Sequence, residues 1–166
     1  MRRFLRMAFL AAPVLASATA LASISAGAAG GNTDHSAATS PTPSVVQDDY
    51  AAAKNLIDRE RYRDAIPILE WLVAKNPADT DALNELGYSH RELGHEQRAL
   101  NYYLQALAIQ PEHVGANEYL GELYLTMKDL PKAEERLAVL QKACGNCEEF
   151  SELKEKIADY RAKQQS

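Results

Sequence analysis

Glycine-rich phosphate loops, nucleophile elbows and isolated carboxylate pairs are all missing from this chain of 166 residues. Their absence removes the sequence signatures of nucleotide-dependent and hydrolytic catalysis, so a noncatalytic protein without cofactor or metal is expected. Cysteine is scarce, with only Cys144 and Cys147. With no second pair a four-cysteine zinc site cannot be assembled, and Glu148 stands where a haem-attachment motif needs histidine. After residue 31 no apolar run approaches the roughly 20 residues a bilayer span requires. Basic residues are outnumbered, 18 against 23 acidic, which disfavours phosphate backbones and anionic lipid surfaces as partners.

The amino end has a different character. Arg2, Arg3 and Arg6 are followed by no charged residue until Asp34, and the intervening run, AFLAAPVLASATALA, is apolar but rich in alanine and serine. A basic start, an apolar stretch and small residues at Ala20-Leu21-Ala22 and Ala26-Gly27-Ala28 have the form of a cleaved export signal over residues 1–28, which predicts a periplasmic or secreted protein. The alternative is an uncleaved segment that tethers a subunit of an envelope complex. No cysteine lies near these sites to take a lipid. Loss of the segment removes three arginines and no acid, leaving 15 basic and 23 acidic residues and a formal charge of −8. Residues 29–44, largely Gly, Ser, Thr, Pro and Ala, cannot bury enough surface to offset the entropy of ordering and are expected to form a flexible tether, with His35 solvated within it.

Beyond the tether a 34-residue step repeats. It carries Pro77 to Pro111, Ala65 to Ala99 to Ala133, Leu69 to Tyr103 to Leu137, Ala52 to Leu86 to Leu120, and Ala53 to Gly87 to Gly121. A fixed period of this length signals stacked helical hairpins, none of which can bury its apolar face alone. The columns resemble those of the tetratricopeptide repeat family. Leu83, Leu86, Gly87, Ala99, Tyr103, Ala106 and Pro111 fit the middle unit and Leu120, Gly121, Tyr124, Ala133 and Leu137 the third. Departures are His90 in place of an aromatic, Gly145 in place of the closing proline, and Asp49 and Ala52 in the first unit's leading helix. The resemblance implies an all-α, right-handed solenoid of three hairpins over residues 45–145, about 46–79, 80–113 and 114–145. Residues 146–166 would add a capping helix with Phe150, Leu153, Ile157 and Tyr160 on its apolar side.

Small residues at Gly87 and Gly121 are expected where the two helices of a unit approach, and Pro77 and Pro111 where second helices stop. Pro67, several residues into its helix, is expected to kink or shorten it. Asp81 and Glu112 are placed to offset the positive ends of following helices.

Three histidines invite a metal reading that their spacing refuses. HEQRA begins like a zinc-protease helix, but Ala99 occupies the second ligand's place. His90 reads as a core-edge aromatic, and His95 and His113 as turn residues. Cys144 and Cys147, in an exported chain, read as a structural disulfide; a thiol-disulfide redox accessory role is the rival. In the family the first helix of each unit lines a groove. The matching side chains here are Tyr50, Lys54, Asn84, Tyr88, Arg91, Glu118, Glu122 and Leu125. Tyrosines, an amide and both charges suit a peptide or protein partner of unknown identity, which makes the chain an interaction scaffold. The subgroup that grips chaperone tails by their carboxylates is not matched, because Glu85, Gly115 and Tyr119 stand in its clamp positions.

Overall fold

The computed structural model describes residues 43–165; the segment read as an export signal, and the tether up to residue 42, lie outside the described residues. Seven helices follow one another: α1 (Pro43–Asp58), α2 (Tyr62–Lys75), α3 (Thr80–Glu92), α4 (Glu96–Ile109), α5 (Val114–Thr126), α6 (Leu130–Ala143) and α7 (Glu148–Gln164), with no strand among the described residues. The hairpins are α1–α2, α3–α4 and α5–α6, each packed on the next. α1 starts at Pro43, inside the stretch read as tether from its composition.

The repeat governs the ends of the helices as well as their faces. First helices begin after Asp79, His113 and Cys147, and second helices after Arg61, His95 and Asp129, each series stepping by 34. Asp79 accepts the Ala82 N–H at 3.0 Å, satisfying one of the donors a helix start leaves unpaired. His113 does the same for Ala116 through Nδ1 at 3.1 Å, so its ring proton sits on Nε2 and donates to Asp81 at 2.9 Å. This histidine therefore caps α5 and ties it to α3. The turn within each hairpin places one residue at positive φ in the same column: Glu60, Gly94 and Lys128. Only Gly94 does so without the crowding that a Cβ brings.

Two apolar clusters run through the stack. One joins Ala53, Ile57, Ala65, Leu69 and Leu72 to Ala82 and Leu86, and the other runs from Leu83 and Tyr103 through Leu120 and Leu140 to Leu153 and Ile157. α2 runs through Pro67 and keeps the same 14 residues as α4 and α6, so the proline does not shorten it. Burial of Ala65, Leu69 and Leu72 on the same helix holds it across the one missing amide bond. Gly87 lies where expected: a Cβ there would run into the Tyr103 ring of its own hairpin. Gly121 differs. A Cβ there would sit 2.5 Å from Leu153 of α7, because α7 packs on both α5 and α6 as the first helix of a fourth unit would. The capping helix is in register with the repeat, and it buries Leu153 and Ile157 while Phe150 and Tyr160 stay half-buried.

Candidate functional site

First helices share one face, and the 34-residue step sorts its side chains into columns. Tyr50, Asn84, Glu118 and Glu152 form one, and Lys54, Tyr88, Glu122 and Lys156 the next. Of the eight residues singled out from the sequence, the six other than Arg91 and Leu125 thus fall in two adjacent rows. α7 extends both rows with Glu152 and Lys156, which a reading limited to three units does not reach.

The centre of the face is aromatic and cationic. The Tyr88 ring lies 4.9 Å from Tyr119 and 5.9 Å, edge-on, from Tyr62. The Arg91 guanidinium is 5.3 Å from the Tyr88 ring centre and 5.7 Å from that of Tyr119, and it pairs with Glu122 at 3.0 Å and Glu92 at 2.9 Å. Burial works against the Arg91 cation, but Tyr103, Glu122 and Glu92 outweigh it and hold the guanidinium charged. Burial raises the phenols of Tyr50 and Tyr119 well above their ordinary range, with Glu85 and Glu118 adding to it respectively, and pushes Tyr88 up to about 12. All three remain neutral hydroxyls that can exchange hydrogen bonds with a bound chain. Beside them, Lys54, Asp58, Glu60, Tyr62, Glu85, Tyr88 and Tyr119 line a cleft of about 280 Å³.

A second cleft, about 360 Å³, opens between α3, α5 and α7. Glu85, on its edge toward α1, has its carboxyl raised by burial and held back by Lys54, which donates to it at 3.1 Å. Glu118 is 3% exposed, and one of its carboxylate oxygens lies within 4.8 Å of one oxygen each of Glu122 and Glu152. Burial first, then a hydrogen bond with Glu152 and the charges of Glu122 and Glu152, push Glu118 up to about 8 against the pull of Lys156. Glu122 is paired with both Arg91 and Lys156.

Leu125 stands apart: it lines a separate cleft with Thr126, Lys156, Asp159 and Tyr160. Glu85, Tyr62, Tyr119 and the α7 acids belong to the face but were not among the groove residues read from the sequence. The signal for Glu152 was the same 34-residue step, continued one helix further; Glu85 and Tyr119 share the clamp column beside Asn84 and Glu118, and Tyr62, at the start of α2, lies outside the first-helix columns. Among the described residues the histidines form no ligand set: His90 is buried, stacked on Tyr102 at 5.5 Å, with Nδ1 3.2 Å from that of His95. Cys144 closes α6 and Cys147 opens α7, their α-carbons 5.6 Å apart, within reach of a bridge.

Comparison with known proteins agrees with the helical-repeat fold. Two sequence models described as Tetratricopeptide repeat match residues 50–111 and 90–157. An uncharacterized protein, ycf37, of Pyropia yezoensis is 36% identical over 95 residues, which cover 51% of this chain; the match spans about half, 53%, of that relative's length. Among solved structures, the Yersinia enterocolitica type III secretion chaperone SycD, in complex with a peptide of the translocator YopD, superposes with a TM-score of 0.63 at 21% identity, covering 72% of this chain and 91% of that one. PcrH of Pseudomonas aeruginosa, in complex with the chaperone-binding region of PopD, gives 0.66 at 17% identity, with 75% and 96% covered.

Proposed function

From the premise that the chain belongs to the tetratricopeptide repeat family, we propose that it is an exported, noncatalytic interaction module that holds a peptide or protein segment against the face made by its first helices. The observation that carries this reading is the cluster of Tyr62, Tyr88, Tyr119 and Arg91, in which rings and guanidinium fix one another before any partner arrives. Preorganised aromatic and arginine side chains supply contact area at little entropic cost. That SycD and PcrH hold a peptide and a chaperone-binding region on the same fold supports a protein partner. Export rests on the basic and apolar pattern of residues 1–28.

Affinity recovery from the source cell, comparing wild type with the Tyr88→Ala/Arg91→Ala double variant, tests the assignment. Partner recovery is expected to fall by about tenfold or more, since truncating such anchors costs at least ~2 kcal/mol. Unchanged recovery of every partner, with helicity retained, removes the face from consideration.

Cys144 and Cys147 fit a structural disulfide that fixes where α7 starts. The Cys144→Ser/Cys147→Ser variant is expected to lose at most ~2 kcal/mol in denaturant unfolding, because the closed loop is so short, and to keep its partner. Loss of partner recovery together with loss of a dithiol-reductase signal would favour the redox reading instead.

A further inference from the structure

We propose that the partner presents a cationic stretch to this face, a lysine- or arginine-bearing peptide segment whose charged group enters the cleft between α3, α5 and α7. This rests on the protein-binding reading of the first-helix face and adds the charge of what it binds.

Apart from the Tyr119 hydroxyl, which can donate or accept, the polar lining of that cleft is Asn84, Glu85, Glu118, Glu148, Glu149 and Glu152. Five are carboxyl groups, which when ionised only accept hydrogen bonds. The sixth, Asn84, is 5% exposed, and its Oδ1, also an acceptor, receives no hydrogen bond. A buried acceptor without a donor costs on the order of 1–3 kcal/mol, a cost that an arriving N–H removes. Gly115 keeps the space beside that amide open: a Cβ at this position would stand 3.2 Å from Asn84 Nδ2. Cations of the protein itself reach two of the five carboxyls, Lys54 at Glu85 and Lys156 at Glu152, the latter at 3.9 Å. Lys156 is shared with Glu122, which Arg91 also holds. Among the described residues no cation lies at ion-pair distance from Glu118, Glu148 or Glu149. An occupant that donates hydrogen bonds and brings positive charge therefore supplies what most of this lining lacks.

A bare divalent ion answers that need less well than an ammonium or guanidinium group. Of the three carboxylates close enough to share an ion, Glu122 already holds two cations, and the cleft is many times an ion's volume. Tyr119 lines both this cleft and the neighbouring one with Tyr62 and Tyr88, so a chain seated in the acidic cleft continues onto the aromatic cluster. That continuity favours a peptide over a free polyamine.

Fluorescence anisotropy with the full chain at low salt tests the proposal, using a labelled octapeptide of alternating lysine and serine and its glutamate counterpart. The lysine peptide is expected to bind at least about tenfold more tightly, as one lost charge-assisted hydrogen-bond pair would give. Glu118→Gln/Glu152→Gln should weaken it about tenfold, whereas Glu70→Gln/Glu96→Gln, which removes the same charge from α2 and α4, should change it less than about twofold. Glu148→Gln/Glu149→Gln, at the cleft's rim, repeats the test without touching the buried carboxyl. Equal binding of the two peptides, equal losses in the two sets of variants, or spermine or calcium displacing the peptide at equal concentration overturns the proposal. If it falls while partner recovery still depends on Tyr88 and Arg91, the face binds a protein of another charge and only this inference is lost.

Discussion

Valine at Gly87 is expected to cost about 3 kcal/mol of unfolding free energy and roughly 10 °C in Tm. A Cβ at this position would lie 2.5 Å from Tyr103 Cε1 and 2.6 Å from Cδ1, far inside contact distance. Tyr103 has nowhere to retreat: it is fully buried, with Leu83, Ala99, Ala106 and Leu120 in the same cluster. The hairpin must then separate, and a wider α3–α4 crossing also loosens the contacts of both helices with α5. Gly115→Ala provides the contrast. Its nearest neighbour is the end of one amide side chain at 3.2 Å, which a small rotation relieves, so a shift within about 2 °C is expected. Thermal melts of the two variants decide the matter; a Gly87→Val protein that melts with wild type would mean that the close approach within the hairpin is not what the glycine serves.

The repeat was legible because packing that recurs in space must recur in residue size. Ala65, Ala99 and Ala133 are all fully buried, and Gly87 sits at the contact its column implies. The seventh helix was legible only as an amphipathic stretch, Phe150, Leu153, Ile157 and Tyr160, and not as a continuation of the period. The reason is local: Lys154 and Glu155 occupy the columns of Leu86 and Leu120 and of Gly87 and Gly121, since the outermost helix has no following helix to press against them. Its register survives in less conspicuous columns, such as the caps at Asp79, His113 and Cys147. Missing that register hid half of the acidic cleft, because Glu148, Glu149 and Glu152 reach it only if α7 lies beside α5 as a fourth first helix. The burial of Glu118 was hidden for the same reason. From sequence it reads as one more acid on a solvated face, and it becomes a buried carboxyl only once α7 covers it.

That burial has a measurable consequence with a definite sign. The Glu118 carboxyl is pushed up to about 8 from an ordinary 4.5, so between those values the folded protein keeps a proton that the unfolded chain has released. Stability must therefore fall as pH rises through this window and level off above about 8, a loss on the order of 3 kcal/mol. The charged groups that set the shift are Glu122 on the same helix and Glu152 and Lys156 on α7, with Arg91 of α3 reaching Glu122. Glu85, also raised by burial, contributes in the same direction, so replacing Glu118 removes only its own share. Glutamine has nearly the shape of the protonated carboxyl and keeps an N–H for Glu152. Glu118→Gln is expected to match wild type in urea unfolding at pH 4.5 and to exceed it at pH 9 by on the order of 3 kcal/mol. Equal stabilities at pH 9 would mean that the carboxyl ionises freely in the fold. A glutamate held where glutamine would make the folded protein more stable is not there for the fold's sake, and such destabilised groups mark functional positions. A cation arriving beside Glu118 would expel its proton and convert the least favourable charge on the face into a paired one. On this account the same substitution that strengthens the fold weakens the lysine peptide, and finding both effects in one variant would separate a binding residue from a misplaced one.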